Sequence, residues 1–345
     1  MNRCINVDWL AIHAKGVLNR LGTRWFGMNQ REYGSKFFSE CWDQIDHEEN
    51  DKIATIQAVP YSPIIPKDTV IVQYANRYLY RKDIMNKITS SMFDAHLVPV
   101  GYSRIDIACD FNRFDNNLNP VNLIKGFMDN KYLKRGVTSY TLIGDQKLEG
   151  HNYEYIRFGK RNSGICVYLY NKSLELDQVK NKEYIRQAWA EAGLRLDVPV
   201  WRLEFSIDPS LMRFKVRKSD QDLDLLNFQD MRPAIWENIV DCLVEKYFDF
   251  RINDGSRRSD RMKRVSLFPA NCKTTLQVSR KENMADCGRM DKVLLKRLLD
   301  PKGAYRIDDQ DINDIAALDA AAEVIIRRKG LEDYATKIHN SAYKS

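Results

Sequence analysis

The chain has 345 residues, 44% of them hydrophobic, with a formal net charge of +7 and a pI near 8.9. A chain of this length and apolar content can bury a large core, which excludes a disordered protein or a small disulfide-stapled one. No apolar run approaches the roughly 20 residues of a membrane span, and none of the seven cysteines forms a CxxC pair. We therefore expect a soluble, cytoplasmic protein with reduced thiols and no membrane partner.

The first part of the chain is expected to alternate strands and helices. Period-two alternation and enrichment in β-branched and aromatic residues indicate the strands, and apolar residues at helical spacing indicate the helices. The predicted strands are 5–16, 69–80, 103–111, 137–144, 153–160, 164–172 and 200–207, and the predicted helices are 83–97, 120–133 and 174–193. This order predicts an α+β fold with a mainly antiparallel sheet and helices on one face, in a domain spanning residues 1–215.

The remainder of the chain changes to a helical pattern. Apolar residues recur at helical spacing in 231–250 and 311–330, and a shorter helix is expected at 290–300. These segments predict a smaller helical C-terminal region at 225–345. A charged connector inside it carries a basic cluster that suits a polyanionic partner, although a solvated loop is an equally good interpretation. The cluster consists of Arg257, Arg258, Arg261, Lys263 and Arg264.

Three of the predicted strands, 103–111, 164–172 and 200–207, carry unusual polar faces. Successive strand side chains leave opposite sides of a sheet, so the polar residues of each strand share one face. If the strands lie in one sheet, that face gathers Arg104, Asp106, Asp110, Tyr168, Tyr170, Lys172, Arg202 and Glu204. Such a set could cut a phosphodiester bond.

Other kinds of catalytic site are not indicated by the sequence. The five histidines are scattered, so no zinc-binding spacing exists, and neither GxSxG nor GxxxxGK[ST] occurs. Asp106, Asp110 and Glu204 would repel one another unless a cation neutralises them. Hard oxygen ligands of this kind suit Mg²⁺ or Mn²⁺, which would polarise a phosphate.

Tyr170 is the candidate nucleophile, with Tyr168 on the same face as the alternative. A phenol has an ordinary pKa of about 10, so it needs a nearby positive charge, which Lys172 and the metal would supply. The structural alternative is that both phenols only cover the sheet. In the same way, Asp106 with Arg104 and Glu204 with Arg202 would be ordinary surface ion pairs.

Four motifs occur in order and resemble the replication initiation factor family, the rolling-circle plasmid initiators and related relaxases of conjugative elements. They are an R-x-D strand (Arg104 and Asp106), a G-[SK]-R-x-S segment (159–163), a Y-[DEN]-K-x-x-E stretch (Tyr170 to Glu175) and an R-x-E strand (Arg202 and Glu204). Together with VDWL near the start, the resemblance covers about residues 7–207. Residues 225–345 match no part of it.

The resemblance implies a metal-dependent endonuclease and strand transferase that nicks one strand at a replication origin of a plasmid or other mobile element. A tyrosine becomes joined to the 5′ phosphate and a 3′ hydroxyl remains for a polymerase. Carried over residue by residue, Tyr170 would be the nucleophile, Asp106, Asp110 and Glu204 the metal ligands, and Lys172, Arg161 and Arg202 the phosphate contacts. The implied partner is origin DNA, single-stranded or supercoiled, with a helicase or a second subunit as candidates for the C-terminal region.

Two other hypotheses compete with this one. A non-catalytic, sequence-specific DNA-binding regulator on the same fold would bind DNA in a salt-dependent way without cutting it. A structural protein with an incidental basic patch would not bind DNA at all.

Overall fold

A computed structural model describes residues 2–63, 65–147, 150–160, 164–178, 182–216, 222–223, 233–268 and 276–280, together with positions 323 and 326. The chain divides into two compact units, Met1–Arg280 and Lys281–Ser345. The predicted helix at 290–300 and most of the one at 311–330 lie outside the described residues.

The first unit is built on one large sheet. Its ten strands follow the spatial order β2-β3-β4-β5-β1-β6-β11-β10-β9-β8, and every neighbouring pair is antiparallel. These strands are β1 (Cys4–Gly16), β2 (Phe26–Gln30), β3 (Phe38–Asp46), β4 (Asp51–Pro60), β5 (Thr69–Tyr74), β6 (Leu97–Phe111), β8 (Tyr140–Lys147), β9 (Gly150–Phe158), β10 (Ile165–Asn171) and β11 (Trp201–Ile207).

Smaller elements complete the described part of this unit. One small sheet has the order β13-β12-β15 and another pairs β14 with β7. These strands are β7 (Tyr132–Lys134), β12 (Met212–Val216), β13 (Asp222–Leu223), β14 (Phe250–Ile252) and β15 (Leu276–Arg280). The helices are α1 (Asn76–Leu79), α2 (Ile84–Asp94), α3 (Pro120–Met128), α4 (Lys172–Gln178), α5 (Glu183–Glu191) and α6 (Pro233–Tyr247). Of the helices in the described part of the chain, none has both the length and the apolar character that crossing a membrane requires.

The apolar side of the sheet forms the main core. Ile105, Ile107 and Cys109 of β6 are buried there with the inward residues of β10 and β11, because period-two alternation sends all of them to the same side. Helices α2, α3 and α6 contribute buried residues to the same cluster. The predicted α+β class and antiparallel sheet are confirmed. Two helices, α4 and α5, pack instead on a second apolar cluster that includes Cys4 and Trp189.

The first unit extends beyond the boundary expected near residue 215. Helix α6 begins at Pro233, and its Trp236, Ile239 and Leu243 are buried in the same apolar cluster as the sheet strands. Arg3 of the N-terminal segment also forms an ion pair with Asp241 of this helix at 2.6 Å. The helix predicted at 231–250 is therefore present, but it belongs to the unit that ends at Arg280.

Several elements differ from their sequence prediction. The segment 69–80 is a strand only as far as Tyr74 and continues as α1. The single helix predicted at 174–193 is two helices, α4 and α5, although Gly193 has the left-handed φ of +73° expected of a helix C-cap. Strands β2, β3 and β4 were not predicted.

Candidate active site on the polar face of the sheet

The register of three central strands brings the predicted polar residues onto one face. Tyr170 pairs with Arg202 and Tyr168 pairs with Glu204 across β10 and β11. Arg202 in turn pairs with Asp110 across β11 and β6. Because directly paired residues of adjacent strands lie on the same side of a sheet, the described part of the predicted site forms one continuous surface.

Tyr170 and Glu204 form the closest contact between a candidate nucleophile and a carboxylate. The Tyr170 hydroxyl donates to Glu204 Oε2 at 2.8 Å. Burial, together with the neighbouring Asp8 and Asp106 charges, raises the pKa of Glu204 to about 7. Burial and the adjacent Glu204 charge raise the pKa of Tyr170 well above its usual value. The phenol is therefore protonated at neutral pH, and its proton is directed at a carboxylate that accepts protons near pH 7.

Arg202 is fully buried and links its own strand, β11, to β6, to β1 and to the residue that follows α1. Its Nε and Nη2 bond both oxygens of Asp110 at 2.6 and 2.7 Å, and its Nη1 bonds Asp8 at 2.6 Å. Nη2 also donates to the hydroxyl of Tyr80, at 2.8 Å, just beyond α1. Although burial opposes it, the Arg202 guanidinium holds the pKa of Asp8 well below its usual range.

Asp110, a predicted metal ligand, has partners on both of its oxygens. Besides the two bonds from Arg202, Asp110 Oδ2 accepts a 2.6 Å hydrogen bond from the indole of Trp189 on α5. Only 1% of Asp110 is exposed. Its geometry is that of a buried charge neutralised by a guanidinium, so it positions Arg202 and is not available to a ligand in the described arrangement.

Asp106 lies nearer the open part of the face. Arg104 bonds it through Nε at 2.9 Å and through Nη2, and the Arg104 guanidinium also covers the ring of Trp9, 4.9 Å from its centroid. Burial raises the pKa of Asp106 in spite of that ion pair. The Arg104–Asp106 pair proposed from sequence is present, whereas Arg202 pairs with Asp8 and Asp110 and not with Glu204.

Lys172 pairs with a carboxylate, whereas the sequence pattern suggested that its charge would stabilise a tyrosine phenolate. It is the first residue of α4, is almost fully buried, and donates to both oxygens of Glu175 at 2.8 and 2.7 Å. Its ammonium lies 5.5 Å from the centroid of the Tyr170 ring. Burial and the Arg202 charge lower the pKa of Lys172. The expected stabilisation of a phenolate is outweighed by burial, since the pKa of Tyr170 is raised.

Tyr168 separates two cavities on this face. One, of about 370 Å³, is lined by Tyr155, Tyr168, Tyr170, Glu204 and neighbouring residues of β9 and α4. The other, of about 440 Å³, is lined by Tyr168, Arg104, Ser206 and nearby residues. Burial raises the pKa of Tyr168. Tyr168 and Tyr170 thus share a face, as predicted, but the hydroxyl bond to Glu204 belongs to Tyr170.

The basic cluster lies in a different part of the unit, between β14 and β15. Arg258 pairs with Asp260 at 2.7 Å and Arg264 with Asp249 at 3.3 Å. Arg257, Arg261 and Lys263 are exposed, and no ion pair involves them among the described residues. Arg161, another predicted phosphate contact, lies outside the described residues.

The predicted metal site has an incomplete set of protein donors. In the part of the chain that the structure describes, no group of three or more His, Cys, Asp or Glu side chains is arranged to hold a metal ion. Asp110 is bonded on both oxygens by Arg202, and Asp106 is bonded on both oxygens by Arg104, so of the three predicted ligands only Glu204 has no guanidinium partner among the described residues. The charge of Asp106 contributes to the raised pKa of Glu204, a repulsion that a divalent cation would relieve. Carboxylate oxygens are also the donors that Mg²⁺ prefers, so the chemistry of the pair fits such an ion.

Four residues that sequence reasoning did not select contribute to this face: Asp8, Tyr80, Tyr155 and Trp189. Asp8 lies at a register shift in β1, between Val7 and Trp9. The VDWL motif was the available signal for it. Tyr80 follows α1, Tyr155 lies in β9 and Trp189 lies in α5, and all three reach the site only through tertiary structure.

Comparison with known proteins adds a weak structural likeness. No protein-family model matches the sequence, and a search of curated proteins finds no significant match. Among solved structures, the chain is similar to a rolling circle replication initiator protein from Geobacillus stearothermophilus, with 14% identity and a TM-score of 0.44. The match covers 76% of this chain and 92% of that chain. A likeness of this strength does not assign a family or an activity.

Proposed function

We propose that the protein is an origin-nicking enzyme, a rolling-circle initiator or relaxase, that cuts one DNA strand through Tyr170. The observation that carries this proposal is the 2.8 Å hydrogen bond from the Tyr170 hydroxyl to Glu204. A tyrosine that is hydrogen-bonded to a carboxylate with a pKa of about 7 is a nucleophile with its base in place. The ordered motifs that resemble the replication initiation factor family support the same assignment.

The proposed step is a transfer of one phosphoryl linkage from DNA to protein. Glu204 accepts the Tyr170 proton as the phenol oxygen attacks phosphorus, and the bond from phosphorus to the 3′ oxygen breaks. The 3′ oxygen takes a proton from solvent, and the 5′ phosphate remains on Tyr170. In the reverse step a 3′ hydroxyl attacks the phosphotyrosine and gives its proton to solvent, the bond from phosphorus to the phenol oxygen breaks, and Glu204 returns its proton to Tyr170. The linkage conserves the energy of the phosphodiester bond, so strands are rejoined without another cofactor.

Surrounding residues would keep the reacting pair in position. Arg202 fixes β11 to β6 and β1 through Asp110 and Asp8, and it sits directly across from Tyr170 in the register. Its charge also partly offsets the rise in the pKa of Tyr170. Arg104, whose side chain is 46% exposed, is the residue of this face best placed to contact a DNA phosphate.

We further propose that nicking requires Mg²⁺ or Mn²⁺. Mg²⁺ is commonly held by one or two carboxylates together with substrate phosphates, so a full protein cage is not needed. Glu204 would hold the ion together with Asp106, once the guanidinium of Arg104 turns from Asp106 toward a DNA phosphate. When bound, it would polarise the scissile phosphate.

The exposed basic cluster would supply binding to the origin duplex. Arg257, Arg261 and Lys263 have no carboxylate partner among the described residues, which leaves their charges free for phosphates. The C-terminal region would bind a helicase or a second subunit.

A non-catalytic DNA-binding regulator is the second candidate. The raised pKa of Tyr170 favours it, because a phenol that stays protonated is a poor nucleophile unless Glu204 removes the proton. This candidate predicts salt-dependent DNA binding without metal dependence and without cleavage.

The test is to incubate the protein with supercoiled or single-stranded origin DNA and Mn²⁺, then to look for a covalent adduct on a denaturing gel. The proposed function predicts an adduct that is lost in Tyr170→Phe and retained in Tyr168→Phe. Failure of the wild-type protein to form an adduct, or an adduct undiminished in Tyr170→Phe, would overturn it.

A further inference from the structure

Beside Tyr170 and Glu204 lies a cavity of about 370 Å³ whose lining is mainly aromatic and polar, here called the tyrosine cavity. The rings of Tyr155 and Tyr168 lie 6.1 Å apart, and those of Tyr155 and Tyr170 lie 6.3 Å apart, in tilted arrangements. Leu174 of α4 adds an apolar surface to the lining and is 39% exposed. Three phenol rings and a leucine around an open cavity form a stacking surface for a planar group.

The charge of this cavity argues against a phosphate inside it. Its lining contains Glu154, Glu175 and Glu204, and, among the described residues, no lysine or arginine. The ammonium groups of Lys172 and Lys182 are both bonded to Glu175, at 2.8 and 2.7 Å and at 3.5 Å. Without a bound divalent cation a phosphate would therefore be repelled from this cavity, and the reacting phosphate would reach Tyr170 only together with the ion that Glu204 would hold. An uncharged ring with amino groups at its edge would instead find acceptors on the rim.

The guanidinium of Arg104 lies in the second cavity, on the other side of Tyr168. Arg104 lines the second cavity together with Ser103, Ser206 and Tyr168. Arg157, which pairs with Tyr168 in the register of β9 and β10, is also outside the lining of the tyrosine cavity and donates to Thr141 at 2.8 Å. The carboxylates and most of the phenol rings therefore line the first cavity, the guanidinium of Arg104 lines the second, and Tyr168 lines both.

We propose that the tyrosine cavity is a nucleobase pocket, in which a base of the single strand next to the reacting phosphate stacks on Tyr155 and Tyr168 while its backbone runs toward Arg104. This inference rests on the proposed function, because it takes a DNA strand at Tyr170 as its starting point. It gives Tyr155 a role in binding substrate, and it gives Tyr168 a role other than that of a second nucleophile. The amide of Asn171 and the carboxylates of Glu154 and Glu175 are the groups that would read the edge of the base.

The experiment measures binding, not cleavage, and uses the full chain with Tyr170→Phe so that no adduct can form. The probes are a short single strand of deoxyadenosine and a backbone of equal length that lacks bases, each labelled for fluorescence anisotropy. Binding of both probes is measured for three proteins: the Tyr170→Phe parent, the parent with Tyr155→Leu and the parent with Tyr155→Phe. The control variant is Tyr140→Leu, which removes a half-exposed strand tyrosine that packs against Phe127 on the other face of the sheet.

A stacking pocket predicts that the effect of replacing Tyr155 depends on whether the probe carries bases. Tyr155→Leu should weaken binding of the deoxyadenosine strand by at least about fivefold, the effect of losing one stacked base, while Tyr155→Phe and Tyr140→Leu should leave it within about twofold. The base-free backbone should bind the parent protein more weakly and should not distinguish it from Tyr155→Leu. A loss caused by misfolding would affect both probes equally.

Three outcomes overturn the inference: no binding of the deoxyadenosine strand, equal affinity of the parent protein for the two probes, or an equal effect of Tyr155→Leu on both. None of these depends on whether the wild-type protein forms an adduct. If the wild-type protein forms an adduct but Tyr155→Leu affects both probes equally, the proposed nicking function stands and the nucleobase pocket is rejected. If Tyr155→Leu weakens binding only of the deoxyadenosine strand and the wild-type protein forms no adduct, the protein has a base-binding surface but does not cut DNA.

Discussion

Tyr170 and Glu204 are diagonal neighbours across strands β10 and β11. In the register, Tyr170 is directly opposite Arg202 and Glu204 is directly opposite Tyr168, yet it is the Tyr170 hydroxyl that donates to Glu204, at 2.8 Å. Diagonal cross-strand pairs are within the reach of long and aromatic side chains. The arrangement leaves the directly opposed Arg202 free to bond Asp8 and Asp110 below the tyrosine.

Replacing Glu204 should remove the general base without removing the nucleophile. Glu204→Gln keeps the shape of the side chain but cannot accept a proton, so the nicking rate should fall by about 10² to 10⁴, the usual contribution of a positioned base. Single-turnover nicking assays would measure it. Glu237→Gln, on an exposed position of α6, is the matched control and should leave the rate unchanged. An equal loss in both variants would contradict the role of Glu204.

The nicking rate should depend on pH through the same residue. Since burial raises the pKa of Glu204 to about 7, its carboxylate form, which is the base, is scarce below that pH. At Mn²⁺ concentrations well below saturation the rate should rise about tenfold per pH unit up to about pH 7 and then level off. Saturating Mn²⁺ should move the plateau to lower pH, because a cation beside Glu204 favours its carboxylate form. Glu204→Gln should show no such rise. A wild-type profile that is flat from pH 5 to 8 would contradict this assignment.

The contribution of Glu204 to the stability of the fold should fall as pH rises, whereas the nicking rate should increase. A carboxyl with a pKa raised above its unfolded value binds protons more readily when folded, so its unfavourable contribution grows as pH rises from the unfolded value to about 7. Glu204→Gln should therefore unfold at a higher temperature than the wild type at pH 8, and the difference should shrink toward pH 4. Thermal denaturation across this range would measure it. A variant less stable than wild type at pH 8 would show that Glu204 is not a buried, destabilising charge.

Asp110 should be far more important to stability than an exposed partner of the same type. Asp110→Ala leaves the guanidinium of Arg202 buried with one of its carboxylates missing, a change that typically costs about 3–5 kcal/mol. Asp177→Ala removes a partner of Arg186 that is 62% exposed and should cost under about 1 kcal/mol. Denaturant unfolding of both variants makes the comparison. Similar losses in the two would mean that the Arg202 network does not hold the strands together.

The sequence was sufficient for the parts of the site that follow from strand alternation. Tyr168, Tyr170, Glu204, Asp106 and Asp110 were placed on one face because side-chain direction alternates strictly along a strand, and the register joins them. Their partners could not be predicted. For Arg202 the family resemblance implied a phosphate contact, and the structural alternative was an ion pair with Glu204 in the same strand. Strands β1 and β6 instead bring Asp8 and Asp110 to its guanidinium.

Two further features depended on structure that no local pattern encodes. A register shift between Val7 and Trp9 breaks the alternation of β1 at Asp8. The role of α6 in the main core could not be read from its helical periodicity, which shows that one face is apolar but not which element covers it.

The basic cluster should contribute to DNA affinity through charge alone. Replacing Arg257 and Lys263 with alanine should weaken binding at low salt for any sequence, and should reduce the slope of log K against log salt by about two, near one per lost phosphate contact. Filter binding or anisotropy at several salt concentrations would measure it. Arg195→Ala, which removes an exposed arginine paired with Asp197 at 2.5 Å, is the control. An unchanged slope in the double variant would exclude the cluster from the DNA interface.

The most direct test of the account is to identify the amino acid that carries the DNA. The wild-type protein would be reacted with single-stranded origin DNA and Mn²⁺, digested with nuclease and protease, and the nucleotide-linked peptide sequenced by mass spectrometry. We predict a single phosphodiester linkage at Tyr170. A linkage at Tyr168 or at any other residue, or the absence of a linked peptide, would contradict the central claim that the Tyr170–Glu204 pair is the nucleophile and its base.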